Sequence, residues 1–195
     1  MGKIFYIMGK SASGKDRIYS LLAAQKELNL KELVLYTTRP IRAGEQDGKN
    51  YFFVDENKLK EFREKGCVIE ERSYQTVHGI WTYFTADDGQ VDLTEGNYLG
   101  IGTLESFRKM KNYYGEEAVC PLYIEVEDGE RLLRALKREQ EQKEPRYEEM
   151  CRRFLADQSD FSEENVFHAG IQKRFQNVNL EICVKEIVNY INSIQ

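Results

Sequence analysis

Proline and tryptophan are scarce in this 195-residue chain, with 3 and 1 copies, and neither a proline-rich nor a glycine/serine-rich linker interrupts it. With no internal repeat or low-complexity tract either, and with 41% hydrophobic and 31% charged residues, the chain is expected to form one domain with its own core. The four cysteines, Cys67, Cys120, Cys151 and Cys183, stand far apart without a CxxC pair, which excludes a zinc site or a disulfide framework. They read as buried thiols of a reducing cytosol. Histidine is limited to His78 and His168, isolated from each other and read as surface or structural residues, not catalysts. No excess of positive charge exists: the formal net charge of -5 excludes a general nucleic-acid or anionic-membrane surface, so local basic clusters serve smaller anions. Long apolar runs are missing too. The first, at residues 3–8, is too short for a signal sequence or a membrane span, so the opening residues are expected to belong to the fold of a cytoplasmic protein.

What is present is an alternation of short apolar runs with helical stretches, the mark of a parallel α/β sheet flanked by helices. Residues 3–8 predict a buried strand, residues 14 to about 28 a helix, and residues 33–37 a second strand. A polar loop over 39–50 leads into the β-rich stretch 51–54. A helix over 56–65 and strands over 67–74 and 80–85 complete a small strand-rich insert. Strands over 98–102 and 119–126, separated by a helix over 104–113, resume the core. The charged stretch 128–157 predicts two helices split by Pro145, and an amphipathic helix over about 180–194 closes the chain. The single domain therefore divides into a core (about 1–36, 97–127 and 159–195), an insert (about 37–96) and a helical segment (about 128–158).

Gly9-Lys10-Ser11-Ala12-Ser13-Gly14-Lys15-Asp16 has the spacing GxxxxGK between a predicted strand and a predicted helix. The glycines let successive backbone N–H groups curl round phosphate oxygens, the helix N-terminus adds a positive dipole end, and Lys15 can reach the β- and γ-phosphates of a nucleotide. Where such loops carry Ser or Thr, this chain has Asp16. Its carboxylate is either a ligand for Mg²⁺, directly or through water, or a helix-dipole carboxylate.

The stretch from Thr37 to Val54 gathers Arg39, Arg42 and Tyr51 in one polar loop. Two guanidinium forks and a phenol can clamp and orient one phosphate. The plainer alternative is a solvated basic loop.

Thr37-Thr38-Arg39-Pro40-Ile41-Arg42-Ala43-Gly44-Glu45-Gln46-Asp47-Gly48-Lys49-Asn50-Tyr51-Phe52-Phe53-Val54 resembles the TTRxPRxGExxGxxYxFV signature of guanylate kinases, with the proline displaced by one position. The resemblance implies that Arg39, Arg42 and Tyr51 hold the phosphate of GMP, the acceptor of a phosphoryl group from ATP. Val68-Ile69-Glu70 resembles the family's F-I-E, which implies that Glu70 reads guanine. Residues 81–85 lie where the family has Y-Y-G-S/T, placing Tyr83 near the acceptor phosphate and Thr85 near the base, unless these aromatics are core. Residues 131–157 resemble the lid, with Arg138 and Arg153 nearest the positions that fold over the transferring phosphates and Arg152 a rival. Asn177-Val178-Asn179-Leu180 resembles the N-D-D-L turn that contacts adenine, here through Asn177. Departures are Phe84 for glycine, Leu35 for a guanine-recognising serine, and Gly100 and Gly102 for the two aspartates of I-L-D-I-D. The implied activity is Mg²⁺-ATP-dependent phosphorylation of GMP or dGMP. Alternatives are a binding module of weak activity, suggested by Gly100 and Gly102, and a kinase for another phosphorylated acceptor, suggested by Leu35 and Phe84.

Overall fold

Strand β1 (Ile4–Met8) shows why the centre of the molecule forms as it does: all five residues are buried, and successive side chains enter opposite layers. Ile4, Tyr6 and Met8 pack into one hydrophobic cluster, Phe5 and Ile7 into the other. The computed structural model describes the chain from Met1 to Gln195 except Ala43, Val77 and His78, so the reading of His78 lies outside the described residues.

After β1 come α1 (Lys15–Ala23), β2 (Leu30–Glu32), β3 (Tyr36–Thr37), β4 (Phe52–Phe53), α2 (Glu56–Glu64), β5 (Val68–Thr76) and β6 (Gly79–Ala86). β7 (Asn97–Ile101), α3 (Leu104–Tyr114), β8 (Val119–Glu125), α4 (Asp128–Gln140) and α5 (Tyr147–Asp160) follow. The chain ends with α6 (Glu163–His168), β9 (Arg174–Gln176) and α7 (Leu180–Ile194). Five parallel strands form the central sheet in the order β2-β7-β1-β8-β9. Helices α1 and α7 cover one face through Ile18, Leu22, Ile187 and Ile191, while α3 and α6 cover the other through Phe107, Met110 and Val166. A second sheet of four strands, β4-β3-β6-β5, packs Tyr36, Phe84 and Ala86 against Leu59 of α2. Phe84, where the family pattern has glycine, stacks on Tyr36 with ring centroids 4.9 Å apart and belongs to this small core.

Three expectations from the sequence change. The first helix ends at Ala23, not near residue 28. Gln25 turns extended, and a 3₁₀ turn at Lys26–Leu28 buries Leu28 before the chain reaches β2. The apolar run 33–37 is not one strand: Leu33 still bonds the Leu99 carbonyl beside the central sheet, whereas Tyr36 pairs with Phe52 and Phe84 in the other. A run serving two cores looks continuous in sequence. Of the cysteines only Cys183 is buried, and Cys151 is exposed on the polar helix α5. Among the described residues no helix is long and apolar enough to cross a membrane.

Candidate active site

The loop between β1 and α1 turns through two left-handed residues, Ala12 (φ 62°) and Gly14 (φ 84°). That geometry curls the loop tightly, and the N-terminus of α1 follows directly. Its outer carbonyls are tied down from behind. Asn177 donates to the Ser13 carbonyl at 2.8 Å, and Arg131 Nε donates to the Ser11 carbonyl at 3.0 Å. Gly9 fits because a Cβ there would come 2.5 Å from the Ile124 carbonyl, and Gly14 because one would meet the Asn177 amide. Asn177 is 4% exposed and braces the loop, and Arg134 in turn donates to its backbone carbonyl at 3.0 Å.

Lys15 opens α1 with its ammonium 3.6 Å from the Asp16 carboxylate, which is itself 84% exposed. Among the described residues no three His, Cys, Asp or Glu side chains converge as a metal cage. A single open carboxylate at the start of α1 fits Mg²⁺ of the kind that keeps its waters and takes most of its remaining ligands from nucleotide phosphates.

Helices α4 and α5 touch the loop through residues that sequence reasoning missed. Arg131 is 1% exposed, donates to Asp128 at 2.5 Å and Asp157 at 2.9 Å, and lies 4.9 Å from the Phe154 ring. Asp157 also accepts the Ser11 amide at 2.8 Å, and Lys10 donates to Gln158 at 2.8 Å. A charged helix reads as solvated, so nothing in composition marks Arg131. Its place one turn beyond the carboxyl end of β8, where open α/β sheets bind ligands, was the available signal. The lid candidates lie elsewhere: Arg138 is 3.9 Å from Glu139, and Arg152 and Arg153 both pair with Glu149, all three more than half exposed.

Arg39 leaves β3 buried, 4% exposed, with its two terminal nitrogens on Glu45 at 2.7 and 2.6 Å. The guanidinium lies 5.1 Å from the Tyr51 ring and 5.3 Å from Phe53, and Tyr51 packs edge-on against Tyr83 at 5.6 Å. Arg42 is exposed, 5.7 Å from the Trp81 ring, and its amide also donates to Glu45. Burial pushes the Tyr51 phenol up, with smaller contributions from Tyr83, Arg39, Asp16 and Arg72. Only two buried side-chain polar atoms among the described residues lack a partner: Ser13 Oγ in the first loop and Arg39 Nε in the second.

The Arg39 hydrogen bond, above all, pulls the Glu45 carboxyl down to about 2, outweighing a burial effect in the other direction. A depressed carboxyl contributes stability that is full above its unfolded value of about 4.3 and disappears as pH falls through about 2. Melting temperatures of wild type and Glu45→Gln measured from pH 6 to pH 2 should therefore converge below about pH 4, with the wild type higher above it. Parallel curves would remove Glu45 as the titrating partner.

At the far end of the same sheet, Glu70 on β5 is 2% exposed. It accepts from Thr85 Oγ1 at 2.9 Å and from Arg72, whose Nε and Nη2 lie 2.9 and 3.1 Å away. Leu35 is 7% exposed and supplies no hydroxyl. Gly100 and Gly102 are explained by Tyr6. A Cβ at Gly100 would sit 2.8 Å from the Tyr6 ring, and one at Gly102 would overlap the Tyr6 and Ser106 hydroxyls.

The family model for guanylate kinase matches residues 1–84. A guanylate kinase of Caldanaerobacter subterraneus subsp. tengcongensis is 38% identical over 97 residues, covering 49% of this chain and 45% of that protein. One of Syntrophomonas wolfei is 40% identical over 80 residues, covering 40% of each. These two matches span less than half of the relatives' length. The guanylate kinase of Porphyromonas gingivalis aligns over 190 residues at 26% identity, covering 96% of this chain and 95% of that one. In fold, the crystal structure of guanylate kinase from Anaplasma phagocytophilum superposes with a TM-score of 0.64 at 21% identity, covering 100% of this chain and 86% of that one.

Proposed function

We propose that this chain, which is similar to guanylate kinases in sequence and in fold, transfers the γ-phosphoryl group of ATP to a nucleoside monophosphate, GMP or dGMP. The observation that carries this reading is the pair of orphaned buried atoms, one in each phosphate-binding loop. Buried polar groups are nearly always paired, so an unpaired one in each loop calls for a partner that the protein alone does not supply.

The loop of Gly9, Ser11, Ala12, Ser13, Gly14, Lys15 and Asp16 encloses the ATP phosphates, and the Lys15 ammonium stays on the γ-phosphoryl as charge shifts to the leaving oxygen. Arg39, Arg42 and Tyr51, with Tyr83 beside them, fix the acceptor phosphate in line, so no protein nucleophile or covalent intermediate is required. Asn177 keeps the loop in shape and borders the adenine. Glu70 and Thr85 hold the acceptor base. Residues 128–158 form the lid of the single domain. The exposed ion pairs of Arg138 and Arg153 cost little to break, so on closure both guanidiniums exchange carboxylates for the transferring phosphoryl oxygens and exclude water. Mg²⁺ bound to ATP, with Asp16 as the chain's carboxylate, would supply further charge neutralisation.

A coupled assay of ADP formation from Mg²⁺-ATP across GMP, dGMP, AMP, CMP, UMP and TMP tests the reading. Turnover with GMP and dGMP is expected. Turnover only with another acceptor, or with none, refutes it. In the same assay Asp16→Ser should raise the Mg²⁺ concentration for half-maximal rate severalfold. An unchanged requirement would leave Asp16 as a helix-dipole carboxylate.

A further inference from the structure

Arg72, a residue to which the motifs assign no role, stands in the base pocket. It pairs across the four-stranded sheet with Tyr83, and its side chain is 11% exposed. Burial works against its charge, and the Glu70 carboxylate together with Tyr6 and Tyr74 more than offsets that. In the β5–β6 register Glu70 stands opposite Thr85 and Arg72 opposite Tyr83, so all four side chains share one face of the sheet, and Tyr83 packs on Tyr51.

The hydrogen-bonding capacity of the pair can be counted. A carboxylate offers about four lone-pair sites, two on each oxygen. Oε1 of Glu70 already accepts from Arg72 Nη2 and from Thr85, whereas Oε2 accepts only from Arg72 Nε among the described residues. Of the five guanidinium donors of Arg72, those on Nε and Nη2 face Glu70, and among the described residues Nη1 makes only a long contact of 3.4 Å to Thr103 Oγ1. The Glu70–Arg72 pair therefore presents one carboxylate site next to underused guanidinium N–H groups.

We propose that Arg72 is a specificity-determining residue that donates to the carbonyl oxygen of the acceptor base while Glu70 accepts from the neighbouring ring N–H. The pocket so built reads a lactam edge, the C6=O and N1–H of a 6-oxopurine, and does not depend on a 2-amino group. A lone glutamate has room for both the N1–H and the 2-amino donor of guanine. Here the second place is filled by Arg72 and Thr85. Adenine offers an amino donor to the guanidinium and a ring-nitrogen lone pair to the carboxylate, so it is rejected on both counts. This inference rests on the acceptor-site assignment under the proposed function.

Steady-state kcat and KM for GMP, IMP and AMP, in wild type and in Arg72→Ala, test it. For the wild type, kcat/KM with IMP should fall within about tenfold of that with GMP, with AMP at least about a hundredfold lower. Arg72→Ala returns the second site on Glu70 to the ligand, so the GMP-to-IMP ratio should rise by about tenfold or more, mainly through KM. A scaffold role would lower both substrates together and leave the ratio unchanged, which overturns the proposal. So does a wild-type preference for GMP over IMP of several hundredfold, a result that needs no variant to fold. In either case GMP turnover persists and the proposed function stands, whereas no turnover of GMP and IMP by wild type brings down both.

Discussion

Lys15→Ala should lower kcat/KM for ATP by about a thousandfold while leaving the melting temperature nearly unchanged. The catalytic loss follows from where charge develops: in phosphoryl transfer the protein contributes positioning and fixed positive charge, and removing one such group costs about 10²–10³ in rate. The structural indifference follows from what Lys15 touches. Its ion pair is with Asp16, 3.6 Å away and 84% exposed, and exposed pairs contribute about 0–1 kcal/mol. Arg72, Arg131 and Arg39 are different, each holding a partly or fully buried carboxylate. Lys15→Arg should not restore the rate, because a planar fork cannot replace a compact ammonium between two phosphates inside a closed loop. A decrease smaller than about tenfold would mean that the loop does not hold the transferred group.

The parts of this molecule legible in the sequence are those set by local rules. The five buried residues of β1, the GxxxxGK turn and the amphipathic closing helix α7 each follow from neighbours within a few positions, and the structure has all three. The polar loop of Arg39, Arg42 and Tyr51 was legible as a cluster for the same reason, since it lies in side-chain type and close spacing. Long-range partners were not. Arg131 reads as one charge among many on α4, yet it is buried because Asp157, 26 positions later, and the Ser11 carbonyl, 120 positions earlier, converge on it. Strand β9 was missed because three residues with one buried side chain, Phe175, carry too little pattern to separate from a loop. Gly100 and Gly102 looked like losses in the family pattern. They are a spatial consequence of an aromatic residue more than ninety positions away in the chain.

That consequence yields the second large effect. Gly102→Ala should destabilise the protein by about 1–3 kcal/mol or more, well beyond the average of surface substitutions, because the new methyl would overlap both the Tyr6 and the Ser106 hydroxyls. Tyr6 is fully buried, opposite Gly100 in the β1–β7 register, and donates to Ser106 Oγ at 2.9 Å, so it has no vacant direction in which to move. Burial also pushes its phenol up, which keeps the hydroxyl protonated and donating at any physiological pH. Tyr6→Phe removes the oxygen and keeps the ring, so it should recover part of the loss at Gly102 but none at Gly100, where a Cβ would meet the ring carbons at 2.8 and 3.0 Å. Chemical denaturation of the single and double variants would measure a favourable coupling for the 6/102 pair and none for 6/100. Equal coupling at both sites would mean that the whole strand shifts instead. The expected pattern makes the Tyr6–Gly100–Gly102 set one unit: while tyrosine occupies position 6, no side chain can stand at either glycine, and aspartates there would require that tyrosine to change first.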